Sequence, residues 1–132
     1  MSAITQENLS IGSRMPDGTI YAGISPSTGR PMYATPNNAT LTCTFNEAGE
    51  YASKLDAHGH NDWRVPSKVE LNVLFQNRAA IGGFDTSGSH PAGWYWSSSR
   101  YGIDYAWAQS FSDGGQYDCS KLNHSALRYV RG

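Results

Sequence analysis

Two helix-start signals of the same type, near the middle of the chain, constrain its fold more than any other feature. Thr44-Phe45-Asn46-Glu47 and Ser67-Lys68-Val69-Glu70 each place a hydroxyl three residues before a glutamate. In such a capping box the hydroxyl accepts a first-turn backbone N–H, and the carboxylate reaches back to the N–H of the capping residue. Phe45, Ala48, Ala52 and Leu55 then recur at helical spacing, and Leu71, Leu74 and Phe75 do so after the second box. Each start therefore leads into one apolar stripe. Pro66 and Leu71 stand where a hydrophobic staple would. Gly59 and the Gly82-Gly83 pair serve as stops, so the pattern predicts helices over about residues 44–58 and 67–78.

Outside these helices the chain has a different character. Residues 19–24 and 31–34 are β-prone runs separated by Ser27-Thr28-Gly29, which predicts a hairpin within an N-terminal region spanning 12–35. From residue 84 to 132 the chain is loop-rich, with β-prone runs at 94–98, 105–111 and 127–131. Turn-rich stretches at 99–104 and 112–125 lie between them, and nine of the sixteen aromatics fall from Trp94 to Tyr129. The reading is α+β: two helices packed on a small, mostly antiparallel sheet with long loops. A chain of 132 residues suits one domain, taken as residues 1–132.

Charge and composition remove several classes of partner. The formal net charge is -1, with no cluster of Lys and Arg, so neither nucleic acid nor an anionic membrane meets a concentrated basic face. No apolar run approaches the length of a membrane span, and membrane insertion is not expected. Residues 1–6 carry neither the basic nor the apolar segment of a secretory signal. The expectation is a cytoplasmic protein or a component of a phage virion. Cys43 alternates with Leu41 and Phe45, as a small buried thiol would, whereas Cys119 lies in a polar stretch. Whether the two pair stays open.

Catalytic and metal signals are weak. His58 and His60 are two residues apart near an expected helix end, with no third ligand set by spacing. No metal or cofactor is expected on that spacing, and no catalytic residue is expected, because no nucleophile-elbow or Ser-His-Asp pattern is present. Trp63-Arg64-Val65-Pro66 reads as structural. Trp63 supplies apolar area, Glu70 is used as a cap, and Arg64 bonds backbone carbonyls or an acidic neighbour.

Four strings occur in a recognisable order. They are Asp62-Trp63-Arg64-Val65-Pro66-Ser67 with Glu70-Leu71, then Trp94-Tyr95-Trp96-Ser97-Ser98-Ser99, Ala106-Trp107 through Phe111-Ser112-Asp113-Gly114, and Leu127-Arg128-Tyr129-Val130-Arg131. Together they resemble the DUF1566 family, also named for the C-terminal domain of the Legionella collagen-like protein, over roughly residues 12–131. The resemblance implies a C-type-lectin-like fold with its termini brought together, and binding more than catalysis. It includes surface adhesin domains, phage tail parts and variable proteins of diversity-generating retroelements. The E-P-N or Q-P-D loop of calcium-dependent lectins is absent here. So is the close cysteine pairing that the formylglycine-generating enzymes, oxidases of the same general fold, use for copper.

The Tyr-rich stretches of the C-terminal third carry the functional expectation. Tyr101, Ile103, Asp104, Tyr105, Tyr117, Asp118, Ser120, Leu122, Asn123 and His124 mix aromatic with small polar residues, as antibody paratopes do. Seven of them (Tyr101, Asp104, Tyr105, Tyr117, Asp118, Asn123 and His124) are expected outward on one face, held by strands containing Trp96, Trp107 and Val130. Their residue types are largely those reached by mutating adenines in an Asn codon, as a retroelement-diversified protein would show. The leading reading is a non-enzymatic ligand-binding module that recognises a protein or glycan surface through these loops. The alternatives are a structural, homo-oligomerising adhesin-type domain and a formylglycine-generating-enzyme-like oxidase.

Overall fold

A computed structural model describes residues 9–132; the reading of residues 1–6 lies outside them. The element order is β1 (Ile20–Ile24), β2 (Pro31–Ala34), α1 (Phe45–Lys54), α2 (Lys68–Gln76), α3 (Arg78–Ile81), β3 (Trp94–Tyr101), β4 (Tyr105–Ser110), β5 (Gln116–Ser120) and β6 (Val130–Arg131). The fold is α+β. Both capping boxes form, with Thr44 and Ser67 as N-caps and Glu47 and Glu70 as their returning carboxylates.

The strands make two three-stranded antiparallel sheets, β1-β2-β6 and β3-β4-β5, where the sequence pointed to one. The separation arises because the closing strand leaves the aromatic meander and pairs with β2 instead. Single bridges join each sheet to the chain beside it, Tyr95 of β3 to Ala126 and Val130 of β6 to Arg64. Two apolar cores follow. One gathers Ile20, Met32, Leu71, Leu74, Phe111 and Val130 beneath α2. The other gathers Cys43, Ala48, Ala52, Trp63, Trp96 and Leu127 beneath α1. Small alanines on α1 let the helix lie close against the large indoles.

Several expected boundaries move. The first helix ends at Lys54, not near residue 58, because Leu55 is extended (φ -71°, ψ 123°). Ala57 then bridges to His60 around His58 and Gly59, whose φ values are 56° and 77°. Gly59 thus serves a tight turn, not a helix stop, since two left-handed residues in a row make the turn that joins paired strands. The second helix pauses at Asn77, whose amide bonds the Val73 carbonyl, and a short third helix completes the run to Gly82. Strand β5 lies in a stretch read as loop. At a sheet edge its side chains are exposed or half-buried, so they show no apolar alternation. The run at 127–131 contributes only two residues of strand. Arg128 there is fully buried, bonded to the Thr35 and Gly82 carbonyls, and stacked over Phe84.

Candidate functional site

The β3-β4-β5 sheet has two faces of different character. Paired residues in antiparallel strands share a face. Tyr105 pairs with Ser120, Trp107 with Asp118 and Gln109 with Gln116, while Ala106 pairs with Cys119 and Ala108 with Tyr117 on the opposite side. That second side meets the α1 core through Ala106 and Ala108. The first side is covered by α2 at one end only. There the Gln109 amide donates to Asn72 Oδ1 (2.9 Å), and the Gln116 amide donates to the Lys68 carbonyl (3.0 Å).

Beyond Lys68 the face is open and aromatic. The Lys68 ammonium sits 3.6 Å from the centroid of the Trp107 ring. Tyr101 meets the same indole edge-on at 5.3 Å and pairs with Tyr105 across the hairpin. Tyr101 is 53% exposed and Tyr105 46%. An aromatic body with a polar tip suits such a half-wet position.

The tip of the sheet extends this surface. Ile103 is 88% exposed and Leu122 is 83% exposed. Lys121 holds the two turns together: its backbone N–H donates to the Asp104 carbonyl (2.9 Å), and its ammonium donates to the Ile103 carbonyl (2.6 Å). The Phe45 N–H donates to the Lys121 carbonyl (3.1 Å), which docks the tip on the start of α1. Asp104, Asn123 and His124 are exposed, and Ser120 is half-buried. Glu47 lies below its ordinary range, chiefly through the Thr44 N–H, with the His124 charge adding to the effect.

The structure therefore brings Tyr101, Ile103, Asp104, Tyr105, Ser120, Leu122 and Asn123 to one end. Asp118 lies on the same face, and His124 stands at the edge beside α1. Tyr117 does not join them. It lies one residue from Asp118 on a strand, so it points to the other face, where its ring rests 5.6 Å from Trp94. Val130 does not support the site either, because it belongs to the other sheet. Trp107 and Lys68 also belong to this surface, though the sequence reading does not count them among the candidate ligand-binding residues. The available signal was the alternation of Tyr105 with Trp107 along one strand.

Beneath α2 lies a different kind of polar cluster. Glu70 is fully buried and accepts from both Arg64 terminal nitrogens (2.6 and 2.7 Å), from the Ser67 N–H (2.8 Å) and from the Ser25 hydroxyl. Burial pushes its carboxyl up, but these donors outweigh it and hold the group at about 2. Arg64 has met an acidic neighbour, and it also donates to the Gly132 carbonyl. The Trp63-Arg64-Val65-Pro66 segment, Ser67 and Glu70 thus make one structural unit. They lie within residues 26–131, which match the Lcl C-terminal domain family. The chain belongs to that family. No curated protein matches it.

In this Lcl C-terminal domain the histidine pair has a structural task. His60 Nε2 lies 2.8 Å from the Asp17 carboxylate, and His58 Nδ1 lies 3.1 Å from the Asp17 carbonyl. The two rings clamp the 15–18 turn onto the 57–60 turn. Burial pushes Asp17 up, and the Thr19 hydroxyl, Thr19 N–H and His60 together bring it down to about 2. Among the described residues no three His, Cys, Asp or Glu side chains are placed to hold a metal ion. Both cysteines are free thiols. Burial, with the nearby Glu47 charge, pushes Cys43 up to about 11, and burial with Asp118 pushes Cys119 up.

Proposed function

We propose that this Lcl C-terminal domain is a non-enzymatic binding module that recognises a protein or glycan surface through the open end of the β3-β4-β5 sheet. The observation that carries the reading is the gathering of four exposed large side chains, Tyr101, Ile103, Tyr105 and Leu122, at that one end. Rigid aromatics supply contact area at small entropic cost, and Asp104, Asp118, Ser120, Asn123 and His124 supply adaptable hydrogen bonds around them. Family membership supports binding as the role. The thiols argue against cysteine chemistry, since both are pushed away from the reactive thiolate form. The tip's residue types also favour the finer reading, a variable protein of the retroelement kind on a C-type-lectin-like frame.

The test uses the two faces of the sheet. Tyr101→Ala with Tyr105→Ala should lower retention on immobilised glycans and cell-surface proteins by more than about 2 kcal/mol. The same double variant should leave Tm within a degree or two, because both rings are half exposed. Tyr117→Ala, on the opposite face, should leave retention unchanged. Equal losses from both variants would remove this assignment. A concentration-dependent mass abolished by the double variant would give the patch to self-association instead.

A further inference from the structure

On the other side of the same sheet a trough runs between α1 and β3. It consists of two hollows, of about 230 and 340 Å³, that share Gly49, Val65 and Ser98. Phe45 walls one hollow and Trp63 the other, so the floor is largely apolar.

Gly49 is the first anomaly. It sits inside α1, where glycine weakens a helix relative to alanine. Nothing lies within 4 Å of the place its Cβ would occupy, and no left-handed backbone demands glycine there. An added methyl would enter the trough, because Gly49 lines both hollows.

The serines of β3 are the second. The register with β4 shifts between Trp96 and Arg100, and Ser97, Ser98 and Ser99 fill the irregularity. The Ser97 hydroxyl donates to the Trp107 carbonyl (2.7 Å), and the Ser99 hydroxyl accepts the Lys68 N–H (2.9 Å). The Ser98 hydroxyl has no partner among the described residues, and Ser98 lines both hollows. The exposed Asn46 amide beside it likewise has no partner among the described residues. Among the described residues the exposed Arg100 guanidinium has no ion-pair partner and lies 5.9 Å from the Phe45 ring centroid, whereas Arg64 at the far end is neutralised by Glu70.

We propose that this trough binds a small monocarboxylate with an apolar body. One uncompensated guanidinium selects a single negative charge, and its planar fork matches a planar carboxylate. Asn46 and Ser98 add donors around the head, and the body lies over Gly49 and Val65 toward Trp63. The size of the hollows sits near the lower end for small-molecule sites, which fits a ligand on the order of ten heavy atoms. This site is on the face opposite Tyr101 and Tyr105, so it stands apart from the surface-binding reading.

Phenylacetate is a suitable probe, with 2-phenylethanol as its uncharged counterpart and backbone amide NMR as the readout. Phenylacetate should bind saturably, with Kd below about 1 mM, and should move the Gly49 and Ser98 amides. The alcohol and the Arg100→Gln variant should each bind at least about tenfold more weakly. Gly49→Ala should raise Tm by about 3 °C while weakening binding by a similar factor. Tyr101→Ala with Tyr105→Ala should leave phenylacetate binding unchanged, which separates this site from the other. Absence of a saturable shift, equal binding of the alcohol, or undiminished binding by Arg100→Gln or Gly49→Ala would each overturn the proposal. A lower Tm for Gly49→Ala would also overturn it, by showing that the fold itself requires the glycine.

Discussion

Glu70 and the tip of the β3-β4-β5 sheet are built from similar polar residues, yet they use them in opposite ways. Around Glu70 every group is committed inward: two guanidinium nitrogens, a hydroxyl and a backbone amide converge on one buried carboxylate. At the tip, Tyr101, Ile103, Tyr105 and Leu122 stay exposed, and the bonds there are mostly between backbone groups and Lys121. A buried charge retains its place only if its donors satisfy it, whereas a half-exposed ring keeps part of its contact surface free for a partner. The contrast gives stability to the first region and fits the recognition role proposed for the second.

The largest effect should therefore come from the Glu70 cluster. Glu70→Ala removes the partner of Arg64, the acceptor of the Ser25 hydroxyl and half of the α2 capping box. Breaking one side of a buried pair costs about 3–5 kcal/mol, and Arg64, one-third exposed, recovers some water, which places the loss near the lower figure. Urea denaturation would measure it. A loss below 1 kcal/mol would erase the distinction between the two regions.

What the sequence revealed follows the same division. The two helix starts were legible because capping is local: three residues specify both partners. The hairpin of β1 and β2 was legible for a similar reason, its turn residues lying between its strands. Strand β5 was not, since an edge strand with exposed or half-buried side chains carries no periodicity to detect. The facing of Tyr117 was lost with it, because a residue's side is fixed only once the strand and its register are known. The pairing of β6 with β2 rests on contacts between residues nearly a hundred positions apart, which no local pattern encodes. Ser25 as a donor to Glu70 was hidden for the same reason.

Acid should weaken the Glu70 region next. Its carboxyl lies at about 2 in the folded chain, against an ordinary value of 4.5. A depressed carboxylate contributes stability that is complete above the unfolded value and is lost as pH falls from 4.5 through about 2. That window should remove about 3 kcal/mol at full burial, with Asp17 adding a smaller, solvent-screened part in the same direction. Urea midpoints taken across this range would show the decline. Arg64→Met should flatten it, because the guanidinium is the leading donor that lowers the Glu70 carboxyl. An equally steep decline in that variant would mean that other carboxylates control acid unfolding.

The smallest effects distinguish the two capping boxes themselves. Thr44 and Ser67 each accept the N–H of their own glutamate at 3.3 Å, so the local bond is the same. Their surroundings differ: the Ser67 hydroxyl also meets the Ser27 hydroxyl at 2.6 Å and adjoins the buried Glu70, whereas Thr44 caps toward the more open Glu47. Removing an N-cap hydroxyl costs about 0.5–2 kcal/mol. Ser67→Ala should lose about 1 kcal/mol, since it also frees Ser27 and loosens the frame around a buried charge. Thr44→Ala should lose about 0.5 kcal/mol, because water replaces the lost acceptor more readily there. Paired denaturation curves resolve a difference of this size when the slopes agree. If the two variants lose the same amount, the capping motif alone sets the energy and the burial of Glu70 adds nothing to its cap.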